Sequence, residues 1–420
     1  MLLLAPWAGV FAQTPRAAAK KAAPAKPAAP PRDPMAEAQA LLDSGHPLDA
    51  ATLLKDVVEQ NPDNFAVWFN LGVAYGMAGQ DANAIEAFRK TLALEPKLYE
   101  AELNLGRMLL RRKEYAEAEK LLAEASTQRP REIPPLMLLG DALLQSGQLA
   151  EAERPFRAAA DLNPKLAEAH YRLARVLSTQ SKWSDSAAAL AKYVQLKPED
   201  EPAQLELASY YEKAGQPLEA AAIYRRFPNN VAAVERAGLL ALQAGDAKQA
   251  VAELAAVVAK DPTPASRYAL ATALMRSGDL EHASEVASQI VEQQPSSLEM
   301  RLFYGRLLRD QRKYRPAAQQ FFACTKLKPD SLESWRELTS MLVLLNDYEP
   351  ALQALERSKE LGGENAAYFW FRAIMLDALK QPKPALASYQ RFLELSNGKS
   401  PDEEFKARQR ARILTKVLSK

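Results

Sequence analysis

Apolar residues recur three and four positions apart along most of the chain, in paired runs separated by short polar breaks. Residues 65–97 show the pattern most clearly. Trp68, Leu71 and Tyr75 share one face of a first predicted helix, and Ala84 and Phe88 share one face of a second. Gly79 lies between the two runs, where a permissive backbone favours a turn. Pro96 closes the second run, because proline cannot continue the helical hydrogen-bond ladder. Gly72 leaves a gap on the first helix that predicts a close approach, and Ala84 is expected where the two helices touch.

This pair of helices is repeated. Pro62, Pro96, Pro130, Pro164 and Pro198 close successive units of 34 residues, and Pro262, Pro295, Pro329 and Gly363 close later ones at nearly the same interval. Between Pro198 and Pro262 one unit is short, and its second helix is expected to end early, at Phe227-Pro228-Asn229-Asn230. The set Trp68, Leu71, Gly72, Tyr75, Gly79, Ala84, Phe88 and Pro96 resembles the tetratricopeptide repeat. Leu139, Gly140, Ala152, Phe156 and Pro164 keep its core, as do Tyr304, Gly305, Ala317, Phe321 and Pro329. The resemblance implies an all-α, right-handed superhelical solenoid of about eleven helix-turn-helix repeats. A single helical hairpin cannot cover its apolar faces, so such repeats depend on their neighbours. Repeats one to six are expected over 31–230 and seven to eleven over 231–398. A C-terminal capping helix is expected over 399–420. There Ser400-Pro401-Asp402-Glu403 reads as a capping box, ahead of a stripe made by Phe405, Ala411, Leu414, Val417 and Leu418.

Composition changes the picture mainly at the ends. Hydrophobic residues at 48% and charged residues at 25% are globular values, and a net charge of +2 argues against a nucleic-acid partner. The basic excess sits in the two termini, leaving a mildly acidic body. No apolar run reaches the roughly 20 residues of a membrane-spanning helix, so no stable membrane span is expected. Residues 1–12, MLLLAPWAGVFA, read as a signal peptide, although no Lys or Arg precedes the apolar run. Either the start is placed late or the segment is not a signal. Residues 13–34 are an Ala/Pro/Lys-rich linker. The expected location is therefore periplasmic or otherwise exported, with the cytoplasm as the alternative.

The candidate chemistry is sparse. One cysteine, Cys324, excludes an internal disulfide. The three histidines, His46, His170 and His282, are far apart, and His170 takes the place of Trp68 in its own repeat. No nucleophile elbow, phosphate loop or metal-ligand cluster is present in the sequence, so no catalysis and no cofactor are expected. The resemblance instead implies a groove lined by first helices that takes protein or peptide partners. Carried over position by position, its candidate lining is Phe69, Met77, Leu103, Arg107, Leu110, Arg111, Met137, Tyr171 and Arg175 in the N-terminal half. In the C-terminal half it is Tyr268, Arg276, Arg306, Arg309, Arg336 and Trp370. Glu100, Asp141 and Glu168 also fall at such positions and could balance the arginines. The carboxylate clamp of some family members is not matched: its partner positions hold Met35, Gln39, Phe69, Val73, Glu100 and Pro134. Arginine beside apolar anchors suits acidic segments. The expected role is a non-catalytic scaffold of the cell envelope. The alternatives are a helper in assembly or export of envelope polymers or outer-membrane proteins, and a regulatory subunit of a separate enzyme.

Overall fold

A computed structural model describes residues 33–419; the expected signal segment and nearly all of the linker lie outside the described residues. Every regular element among the described residues is an α-helix. The chain divides into two compact units after Gln216, ahead of the 230/231 boundary read from the repeat spacing.

In the first unit five hairpins follow one another. They are α1 (Pro34–Asp43) with α2 (Pro47–Gln60), α3 (Phe65–Met77) with α4 (Asp81–Leu94), and α5 (Tyr99–Arg111) with α6 (Tyr115–Gln128). Next come α7 (Ile133–Gln145) with α8 (Leu149–Leu162), and α9 (Ala167–Thr179) with α10 (Trp183–Leu196); α11 (Glu201–Lys213) ends the unit. The second unit opens with α12 (Pro217–Tyr224), whose 8 residues replace the usual 14. It packs on α13 (Val231–Gln243), paired with α14 (Ala247–Lys260). Three hairpins follow: α15 (Pro264–Ser277) with α16 (Leu280–Gln293), α17 (Leu298–Asp310) with α18 (Tyr314–Leu327), and α19 (Leu332–Leu344) with α20 (Tyr348–Gly362). The last is α21 (Ala366–Ala378) with α22 (Pro382–Ser396), and α23 (Pro401–Leu418) packs on α22.

The turn inside each repeat has one backbone solution. Its central residue is left-handed at Gly45, Gly79, Gly147, Gly215, Gly245 and Gly278, and equally at Lys113, Ser181, Arg312, Asn346 and Lys380. The glycine seen in the sequence thus marks a geometry that five side-chain-bearing residues also adopt, at a local cost.

The close approach predicted at Gly72 is made by the partner helix's aromatic. A Cβ on Gly72 would lie 2.7 Å from the Phe88 ring, which is fully buried. Gly106, Gly140, Gly238 and Gly305 stand in the same relation to Leu122, Phe156, Leu254 and Phe321. Ala84, Ala118, Ala152 and Ala317 are fully buried beside them.

A further recurrent bond joins five of the repeats to the turn before them. Trp68 Nε1 donates to the Pro62 carbonyl at 2.7 Å, and Trp335 Nε1 to that of Pro329 at 2.8 Å. Gln204 Nε2 and Arg301 Nε reach the Pro198 and Pro295 carbonyls at 2.7 Å. His170 Nε2 lies 3.1 Å from the Pro164 carbonyl. A carbonyl only accepts, so this nitrogen carries the proton.

The expected capping box at 400–403 does not close, since Ser400 makes no side-chain cap bond. Glu404 ties the connection instead. Its Oε1 accepts from Ser396 Oγ and from the Gly398 amide, each at 2.7 Å, and Oε2 accepts from Arg408 at 2.8 Å. These bonds favour the carboxylate, the Ser396 hydroxyl foremost, and hold its pKa below the usual range.

Candidate partner-binding groove

Within the first unit, α5 packs beside both α3 and α7, so first helices of successive repeats form one continuous surface. The apolar stripes of these helices are wider than one partner helix can cover, which leaves Met77 36% exposed and Leu103, Leu110, Met137 and Tyr171 partly exposed. Tyr171 stacks on Tyr193 with ring centroids 5.0 Å apart. Phe69 is different. It is 7% exposed, 5.8 Å from the Phe88 ring, and belongs to the core rather than to the accessible lining.

The charges on this surface are arranged differently from the simple balance read in the sequence. Glu100 is taken by Arg129 at 2.7 Å. Arg172 bridges Glu168 at 2.7 Å and Asp141 at 3.5 Å. Burial raises the Asp141 pKa, with Arg172 opposing the shift. Arg111 pairs with Asp81 at 3.2 Å, and burial lowers the pKa of Arg107. Arg175 is exposed on α9 and lies close enough to act electrostatically on Tyr210. Oδ1 of Asp81 is buried and accepts no hydrogen bond among the described residues, and buried Oδ1 of Asp141 has only the ion pair to Arg172. The surface therefore offers cationic donors and apolar patches side by side.

In the second unit most of the candidate arginines are consumed internally. Arg306 meets Glu337 at 3.1 Å and also Glu333, and Arg309 meets Glu337 at 2.9 Å and Asp310 at 3.0 Å. Arg276 donates to the Leu242 carbonyl at 3.1 Å. Trp370 packs on Phe392 and Tyr389, with centroids 5.2 and 6.1 Å away. Tyr268 is 37% exposed and meets Phe303 edge-on at 5.0 Å. Only Arg336, among these arginines of the second unit, makes no side-chain hydrogen bond or ion pair among the described residues.

Two buried titratable groups escaped the sequence reading or lay beyond it. Glu102 on α5 is 2% exposed and accepts from Gln128 Nε2 at 2.7 Å. Burial first, then the charge and hydrogen bonding of Glu124, push its pKa from 4.5 up to about 7. Its place beside Ala101 and Leu105 on the apolar face was the available signal. Burial likewise pushes the Cys324 thiol up to about 11, which leaves it unreactive. Asn104 Nδ2 donates to the Glu100 carbonyl at 2.8 Å, a bond within its own helix. No helix among the described residues is long and apolar enough to cross a membrane.

Two family models described as tetratricopeptide repeat match the sequence. One matches residues 35–98, 137–201 and 203–266, and the other residues 77–142 and 241–307. Among solved structures, MamA from Desulfovibrio magneticus RS-1 is 24% identical, with 40% of this chain and 94% of that one covered and a TM-score of 0.38. YrrB, titled a TPR protein with an unusual peptide-binding site, is 18% identical over 46% and 96% of the two chains, with a TM-score of 0.39. PilF from Pseudomonas aeruginosa is 21% identical over 47% and 89%, with a TM-score of 0.39. None of the curated proteins matches the sequence.

Proposed function

Because the chain belongs to the tetratricopeptide repeat family, we propose that it is a non-catalytic scaffold of the cell envelope that binds protein partners along its first helices. In this reading the first unit takes an acidic, extended or helical segment. The supporting observation is the charge arrangement on α5 and its neighbours. Glu100, Asp141 and Glu168 pair with Arg129 and Arg172, so Arg111 and Arg175 are not needed to balance them. Arg111 is held only by a pair with Asp81 at the surface, and such a pair contributes about 0–1 kcal/mol. A partner carboxylate could take it over with a paired, charge-assisted bond. Leu103, Leu110 and Met77 would receive apolar side chains between the charged contacts. The envelope location rests on residues 1–12, and N-terminal sequencing of the native protein tests it: cleavage near Ala12 is the expected result.

Arg107→Glu combined with Arg111→Glu is expected to weaken capture of acidic partner segments about tenfold or more, with the helical melt nearly unchanged. Lys90→Glu with Lys120→Glu, on exposed second-helix positions, should have little effect. Equal behaviour of the two pairs, or binding that maps beyond residue 231, would overturn the groove reading. Co-purification with a porin or a polymer synthase would favour the assembly-helper role, and co-purification with a soluble catalytic chain the regulatory-subunit role.

A further inference from the structure

The second unit holds a cavity of about 340 Å³ above the α20–α21 turn, in the size range of small-ligand sites. Its origin is visible in the repeat. Leu355 and Ser358 stand where the preceding repeat has Phe321 and Cys324, and Gly363 stands where it has Pro329. Thr339, which also lines the cavity, stands where that repeat has Gly305, so this corner is packed differently from its neighbour. Gly362 shapes the same corner. A Cβ there would come within 2.6 Å of Leu332 and 3.4 Å of an Arg336 guanidinium nitrogen, so its absence lets Arg336 lie against the turn.

The polar lining is selective about charge. The hydroxyls of Thr339, Ser340 and Ser358 donate to carbonyls of their own helices, those of Trp335, Arg336 and Ala354, and so offer only lone pairs to the cavity. Lys359 is compensated by Glu364 at 3.0 Å. The exposed Arg336 guanidinium is the remaining uncompensated charge on the wall, a single positive charge with a planar fork of donors. Leu355, Tyr368 and Phe371 supply an apolar side, and the Tyr368 hydroxyl is already spent on Glu356 at 2.7 Å.

We propose that this cavity seats a singly charged carboxylate joined to an apolar body the size of one amino-acid side chain. The carboxylate lies on Arg336 and the body lies against Leu355, Tyr368 and Phe371. One uncompensated charge fits a carboxylate better than a phosphate dianion. The shared chemistry has two sources, the C-terminal residue of a peptide and a free aryl or alkyl carboxylic acid. The site belongs to the second unit alone and does not depend on the groove reading of the first.

Calorimetric titration of the full chain with 3-phenylpropionate and with its neutral amide tests it. The acid is expected to bind at least about tenfold more tightly than the amide. Arg336→Gln should remove that preference while the helical melt stays in place. Ala367→Leu, which narrows the cavity and keeps Arg336, should weaken both ligands. A Gly-Ser-Gly-Ser-Phe peptide with a free C-terminus binding more tightly than the small acid, and losing this on amidation, identifies a peptide terminus. Binding of the small acid without binding of the peptide identifies a free acid. Equal affinity for acid and amide, no binding of the acid at about 10 mM, or an Arg336→Gln variant that still prefers the acid overturns the proposal.

Discussion

At the scale of single residues, chemistry follows from what surrounds a side chain more than from its type. Trp68, His170, Gln204, Arg301 and Trp335 look unrelated in the sequence, yet each places a nitrogen against the carbonyl of the proline six positions earlier. The position asks for a donor of sufficient reach, which explains why His170 stands in for tryptophan without any ligand role. Glu102 makes the opposite case. Its pKa of about 7 in the folded chain lies above its ordinary 4.5, so folding favours the protonated form. The stability it contributes is fully present below about pH 4.5 and is lost as pH rises through 7. Glu102→Gln keeps the contact with Gln128 and removes the titration. The variant is expected to be more stable than the parent above pH 7, by on the order of 1–3 kcal/mol, and equal to it near pH 4. Denaturant melts of the two proteins across this range check the outcome; parallel pH profiles would contradict it.

At the scale of the helical hairpin, the turn carries a cost that can be measured. Lys113 and Arg312 hold φ near 65° and 60°, where a Cβ is unfavourable. Lys113→Gly is therefore expected to raise stability by about 0.5–1 kcal/mol, despite the added freedom of glycine in the unfolded chain. At Gly79 a new methyl meets nothing within 4 Å, so Gly79→Ala isolates the backbone term and should cost about 1 kcal/mol. Urea midpoints of the two variants should move in opposite directions. The glycine pattern was readable from sequence only where glycine is present. The five other residues adopt the same angle because the flanking helices, fixed by their packing, leave the turn one path.

At the scale of the molecule, two compact units divide after Gln216, and each stacks its hairpins on immediate neighbours. Phe88→Ala removes a fully buried ring that fills the gap at Gly72, at a cost of roughly 3–5 kcal/mol. In a nearest-neighbour array the loss should begin locally. Hydrogen exchange is expected to accelerate first over 65–130, with 298–398 still protected. Uniform acceleration along the whole chain would mean a single cooperative unit.

The sequence by itself determined the helical hairpins, their phase, the shortened helix at α12 and the family. All of these depend on local periodicity and on residues such as Gly72, Phe88 and Pro96, whose role is set within one repeat. It also marked which arginines fall on first helices. Only the tertiary structure decided what those arginines do. Arg306 and Arg309 meet a carboxylate about a repeat away, Arg129 reaches Glu100 from the turn after α6, and Phe69 turns into the core. The cavity at Arg336 was equally hidden, because its wall is assembled from residues of α19, α20 and α21 at once. Pairing and empty volume depend on distances between helices, and a repeat period does not encode them.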